Sequence, residues 1–95
     1  MSISAIGHGV KTVTTAGTDV VLAQTANAKW VIIQAQTDNT GVIAVGASGV
    51  DATVATGTGV ALAAGESVTL PANDLANIYI DSTVNGEGVR FTYGR

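Results

Sequence analysis

Apolar residues along this chain recur at every second position rather than at a spacing of 3.6, and Gly, Asn, Asp and Thr clusters interrupt them about every ten residues. Alternation of this kind puts successive side chains on opposite faces of an extended strand, one face for a core and one for the exterior. Strands are expected near Val10 to Thr15, Asp19 to Ala23, Lys29 to Gln36, Val42 to Val45, Val60 to Leu62, Ser67 to Leu70, Asn77 to Ser82 and Val89 to Tyr93. No segment has the pattern of a helix of ordinary length. The expected fold is all-β, a single compact β-sandwich or jelly-roll-like domain of about seven to eight short antiparallel strands.

Two segments sharpen that picture. Asn85-Gly86 is a preferred pair for a two-residue type I′ turn. Counting outward from it pairs Val84 with Glu87, Ser82 with Val89, Asp81 with Arg90, Ile80 with Phe91 and Ile78 with Tyr93. The aromatic and isoleucine residues then share one face, and Asp81 meets Arg90 on the other as an opposite-charge pair. Gly88 leaves open a bulged turn that slips this register by one residue. Within Lys29 to Gln36, Trp30, Val31, Ile32 and Ile33 form a continuous apolar run. Val31, Ile33 and Ala35 make a core face, so Trp30 and Ile32 fall on the opposite face with Gln34 and Gln36. Either a segment of the same chain or a subunit contact is expected to cover them.

Residues 1–9 precede the first expected strand, with Ile3, Ala5 and Ile6 among small residues, and read as an N-terminal arm that orders on a partner; residues 10–95 read as the β domain. Ala47 to Gly59 is too poor in large side chains to pack by itself and reads as a long loop made for contact or motion. Ile3, Ile6, Trp30, Ile32, Val50 and Val54 are therefore the candidate protein-interface residues.

Composition adds a reason to expect neighbours. The 95 residues suffice for one small core, and only 12% of them are charged although 46% are hydrophobic and 4% aromatic. A domain of this size has modest stability of its own, and without cysteine it has neither disulfides nor thiolate metal sites, which leaves oligomerisation as the common reinforcement. The net charge of -3, with only Lys11, Lys29, Arg90 and Arg95 as cations, argues against nucleic acid as a partner. No apolar stretch reaches the roughly 18 residues of a membrane span. The first ten residues lack the basic and apolar regions of a secretory signal, which points to a chain made and folded in the cytosol.

A search for chemistry yields turns. Ser48 lies in Gly46-Ala47-Ser48-Gly49, which misses the nucleophile-elbow spacing, and the single His8 is far from it. Gly57-Thr58-Gly59 and Gly86-Glu87-Gly88 lack the lysine and helix start of a phosphate cradle. Asp38, Asp51, Asp74 and Asp81 lack calcium-loop spacing and read as turn formers. Glu66 and Glu87 are conceivable as a carboxylate pair for glycoside hydrolysis, but the aromatic residues are too few to line a sugar cleft. The expectation is a non-enzyme with no catalytic residues, no metal and no cofactor.

The order of Asn39-Thr40-Gly41, Ile43-Ala44-Val45-Gly46, Leu62-Ala63-Ala64-Gly65-Glu66-Ser67, Asn77-Ile78-Tyr79-Ile80-Asp81-Ser82, Gly86-Glu87-Gly88-Val89 and Phe91-Thr92-Tyr93 resembles small tailed-bacteriophage virion proteins of the capsid decoration, or cement, type. The resemblance covers more than half the chain. It implies a virion structural protein, made in the host bacterial cytoplasm and seated on the capsid surface of the mature head. Its expected partners are the major capsid protein and sister copies, commonly as a homotrimer at three-fold positions. No invariant functional side chain is carried over from the family. A carbohydrate- or receptor-binding accessory module of a fibre or tail is the alternative, with Trp30 and Tyr79 as its only candidates for an aromatic platform.

Overall fold

The computed structural model describes residues 5–95. It contains eight strands: β1 (Ile6–Val13), β2 (Val20–Val21), β3 (Trp30–Ala35), β4 (Ile43–Gly46), β5 (Val60–Leu62), β6 (Ser67–Pro71), β7 (Tyr79–Ser82) and β8 (Glu87–Gly94). The only helical element among the described residues is a 3-10 turn, Leu75–Asn77, started by Asp74, whose side chain accepts from the Ala76 N–H. The strands form two antiparallel four-stranded sheets, ordered β1-β8-β3-β6 and β2-β7-β4-β5. The fold is a small β-sandwich.

Alternation builds the core between the sheets. Val13, Val31, Ile33, Ala35, Val89 and Phe91 face inward from the first sheet, and Ile43, Val45, Leu62 and Ile80 from the second, all buried. Leu22, Ala28, Leu75 and Ile78 join the same cluster from the connecting segments. At roughly 1.5–3 kcal/mol for each large aliphatic side chain removed from water, this burial is the main stabilising term.

The expected hairpin at Asn85-Gly86 does not form. Strand β7 pairs with β2 and β4, and β8 pairs with β1 and β3, so the segment between them arches from one sheet to the other. A type I′ turn needs positive φ at both central residues, and only Gly86 has it, at 82°. The Gly86 N–H instead donates to the Val13 carbonyl at 2.8 Å, and Asn85 Oδ1 accepts from the Ala16 N–H at 2.7 Å, which ties the arch to the end of β1. The Ser82 hydroxyl serves the Val84 backbone in both directions, accepting from its N–H and donating to its carbonyl. Ile80 and Phe91 both reach the core, but from opposite sheets. The alternation that suggested the hairpin is equally satisfied by an arch, and the arch places Asp81 and Arg90 on opposite outer faces of the sandwich.

The segment expected to be an arm enters the fold within the described residues. Strand β1 begins at Ile6, and Ile6 to Gly9 pair with Gly94 to Phe91. Ile3 lies outside the described residues.

The long loop, residues 47–59, lies folded against the outer face of the second sheet. Asp81, 1% exposed on that face, accepts from the Gly17 N–H and the Ala52 N–H, both at 3.0 Å, so one carboxylate fastens two loops. Asp19 accepts from the Gly49 N–H, and Asp51 takes both the N–H and the hydroxyl of Thr53. Val50 and Ala52 pack with Ala44 into a second small cluster against Tyr79. Carboxylate-to-backbone bonds hold the loop where large side chains are lacking.

Asp81→Ala removes an acceptor from two loop amides, which predicts a loss of about 2–4 kcal/mol in stability, measurable by urea unfolding. Hydrogen exchange at Gly17 and Ala52 should rise more than exchange in β8.

Candidate binding face

The register brings one side chain from each strand of the first sheet into cross-strand rows on its outer face. Ile6, Gly94, Trp30 and Pro71 form one row, His8, Thr92, Ile32 and Thr69 the next, and Val10, Arg90, Gln34 and Ser67 the third. Ile6 is 70% exposed, Val10 64% and Ile32 40%. No segment among the described residues lies across these rows. Trp30 and Ile32 were expected to be covered by a segment of the chain or by another subunit; the chain's own long loop covers the opposite sheet.

Trp30 is half-buried because its indole rests on Gly94 of the neighbouring strand. A Cβ built on Gly94 would lie 2.6 Å from the indole Cε2 and Nε1, so only glycine admits the ring in this position. The indole therefore occupies the place on β8, between β3 and β1, where a side chain at position 94 would stand.

Charge on this face is sparse and one-sided. His8 and Arg90 are the only ionisable residues in the rows, and Arg90 Nε donates to Gln36 Oε1 at 2.9 Å. The seven acidic residues of the chain lie elsewhere. Asp19, Asp51 and Asp81 hold the loops of the second sheet, and Asp74 starts the 3-10 turn. Glu66 accepts from the Ala63 N–H in the turn between β5 and β6. Glu87 accepts from the Thr40 N–H and hydroxyl and from the Gly41 N–H, binding the β3–β4 turn to the start of β8. Asp38 lies in that same β3–β4 turn.

Of the candidate interface residues, Ile6, Trp30 and Ile32 share this face, and Ile3 is outside the described residues. Val50 is 6% exposed and packed beneath its own loop, so it is not available to a partner; Val54, 74% exposed, stands on the loop over the other sheet. Val10, read from the sequence as the start of a strand, belongs to the face. Its signal was the alternation Ile6, His8, Val10, which extends β1 backward through the glycines at 7 and 9.

The chemical alternatives do not assemble. Trp30 and Tyr79 are on different sheets and form no platform. Glu66 and Glu87 are each bonded into a turn. A polar cleft of about 530 Å³ lies between the β3–β4 turn and the arch, lined in part by Gln36, Asp38, Glu87 and Arg90, but the Glu87 carboxylate inside it is already occupied by backbone and hydroxyl donors. Among the described residues no cluster of His, Asp or Glu is arranged to hold a metal. No known family, curated protein or solved structure matches the chain.

Two predictions follow from these contacts. Gly94→Ala displaces the indole and should cost about 1–3 kcal/mol, with a red-shifted tryptophan emission in the folded state. The backbone N–H groups of Thr40 and Gly41 hold the Glu87 carboxyl below its usual value of 4.5, against a smaller opposing effect of burial. A depressed folded-state pKa gives stabilisation that is complete above the unfolded value and is lost as pH falls through the folded one. Amide shifts of Thr40 and Gly41 should therefore stay constant down to about pH 4.5 and move below it, and Glu87→Gln should abolish that titration.

Proposed function

We propose that this chain is a phage virion structural protein, a decoration subunit that seats the outer face of the β1-β8-β3-β6 sheet on the exterior of the mature head. The observation that carries the reading is the unequal treatment of the two sheets. One outer face is covered by the chain's own loops, and the other is left open with Ile6, Val10, Trp30 and Ile32 on it and no carboxylate. A strand surface bearing isolated aliphatic groups among threonines suits docking against another protein surface, where apolar area is removed from water and few ions must be desolvated.

The sequence resemblance supplies the partner class, the major capsid protein. A subunit of this kind performs no reaction. Each contact is modest, and linking several copies through an assembly raises the effective concentration of the remaining contacts once the first is made. Arg90 on rows without carboxylates favours a shell surface that is neutral or acidic, so that attachment weakens only moderately as salt rises.

Purified protein mixed with expanded, undecorated heads should sediment with them at micromolar concentration. Ile32→Lys introduces a charge at the centre of the face without touching the core. It should leave the melting temperature within a few degrees and release the protein into the supernatant. Wild-type protein that stays in the supernatant contradicts the proposal.

A further inference from the structure

The edges of the two sheets are protected to different degrees. In the second sheet, edge strand β2 has two residues and β5 three. In the first, β6 ends in Pro71, which lacks the N–H that a partner strand would use. Among the described residues, strand β1 has eight residues, no proline, and β8 on one side only.

The hydrogen bonds identify which groups face that free edge. The Arg95 N–H donates to the Ala5 carbonyl, and the Gln36 N–H donates to the Gly88 carbonyl. In a strand, N–H and C=O of one residue point to the same side and alternate along the chain. The odd-numbered residues of β1 therefore bond to β8. Ile6, His8, Val10 and Thr12 direct both backbone groups away from the sheet. Their side chains are the ones on the open outer face.

We propose that β1 pairs antiparallel with β1 of a second copy, making one continuous eight-stranded sheet across a two-fold axis at Gly9. The occupant follows from self-complementarity. Centred on Gly9, the register sets Ile6 against Thr12 of the second copy and His8 against Val10, so all the outward-facing residues exchange both their bonds. Slipping the centre to residue 8 or 10 leaves one of these residues unpaired within the strand, and centring on residue 8 also sets His8 against His8. Lys11, the only formally charged residue of the strand, then faces Gly7 of the second copy and is not set against another charge. The Tyr93 ring overlies Gly7 and the Phe91 ring overlies Gly9, so this strand carries aromatic cover from its own chain at the positions nearest the axis. Pairing also joins the two open faces and covers part of Val10.

This inference is independent of the shell: it concerns the free protein and holds whether or not heads bind it. Sedimentation equilibrium across micromolar to millimolar concentration should give a dimer mass. Hydrogen exchange on the same protein should show Ile6, His8, Val10 and Thr12 gaining protection as concentration rises, whereas Gly7, Gly9 and Lys11 are protected throughout. Val10→Pro removes an outward N–H without removing a bond to β8, and should weaken the dimer at least about tenfold. A monomer at millimolar concentration, a trimer mass, or a dimer whose Ile6, His8, Val10 and Thr12 amides exchange freely overturns the proposal. The exchange measurement on the unaltered chain decides the matter even where the proline variant fails to fold.

Discussion

The buried carboxylate of Asp81 is the contact around which the two faces of the sandwich become different. It sits on the outer side of β7, where an ionised group would normally be left in water, and two loop amides replace that water at 3.0 Å each. Removing a carboxylate from solvent is unfavourable unless charge-assisted bonds take over its hydration. Here they come from Gly17 and Ala52, so the same bonds that satisfy the carboxylate draw residues 14–19 and 47–59 over the second sheet. That sheet has two of its four strands only two or three residues long, and its outer side carries small residues such as Ala44 and Ala61. Its outer side is the one the loops cover.

The first sheet has the opposite character. Its strands β1 and β8 are each eight residues long and pair along their whole length, so it is stable without a lid. Most of the carboxylates of the chain are consumed in holding turns and loops, which leaves the outer rows of this sheet with histidine, arginine, threonine and aliphatic residues. The net charge of the protein says nothing about this face, because the negative charge lies elsewhere. A chain that is acidic overall therefore presents cross-strand rows without acid, with Asp38 and Glu87 kept to the cleft at their end, and the separation arises from where turns occur rather than from any charged motif.

Much of the fold was legible in the alternation. The eight strands lie close to their expected positions, with Val60 to Leu62 coinciding and β1 differing most, because its first half alternates with glycine and so carries little hydrophobic signal. Pairing was less legible. Alternation tells which face of a strand is apolar but not whether two strands lie side by side or face each other across a core, and Asn85-Gly86 serves an arch as well as a hairpin. The loop at 47–59 was legible as a loop, but its seat on the second sheet was not, because its anchors include backbone amides bonding distant carboxylates, and a backbone amide has no sequence signature. Trp30 and Ile32 were legible as a second apolar face, but the seat of the indole on Gly94 required knowing that β3 and β8 are neighbours.

The arch has a consequence for the binding face. Had β7 and β8 formed a hairpin, Asp81 would lie beside Arg90 on a common surface, pairing its charge, and neither would be available for another role. Separating them frees Asp81 to fasten the loops and leaves Arg90 on the opposite side, bonded only through Gln36. One change in strand connectivity therefore decides both which sheet is covered and what charge the uncovered sheet presents. Because β8 lies between β1 and β3, the same connectivity places the free edge and the open face on one side of the molecule. A neighbouring protein approaching that side meets unpaired backbone and exposed aliphatic groups together, and the other sheet offers it neither a long edge nor an open surface.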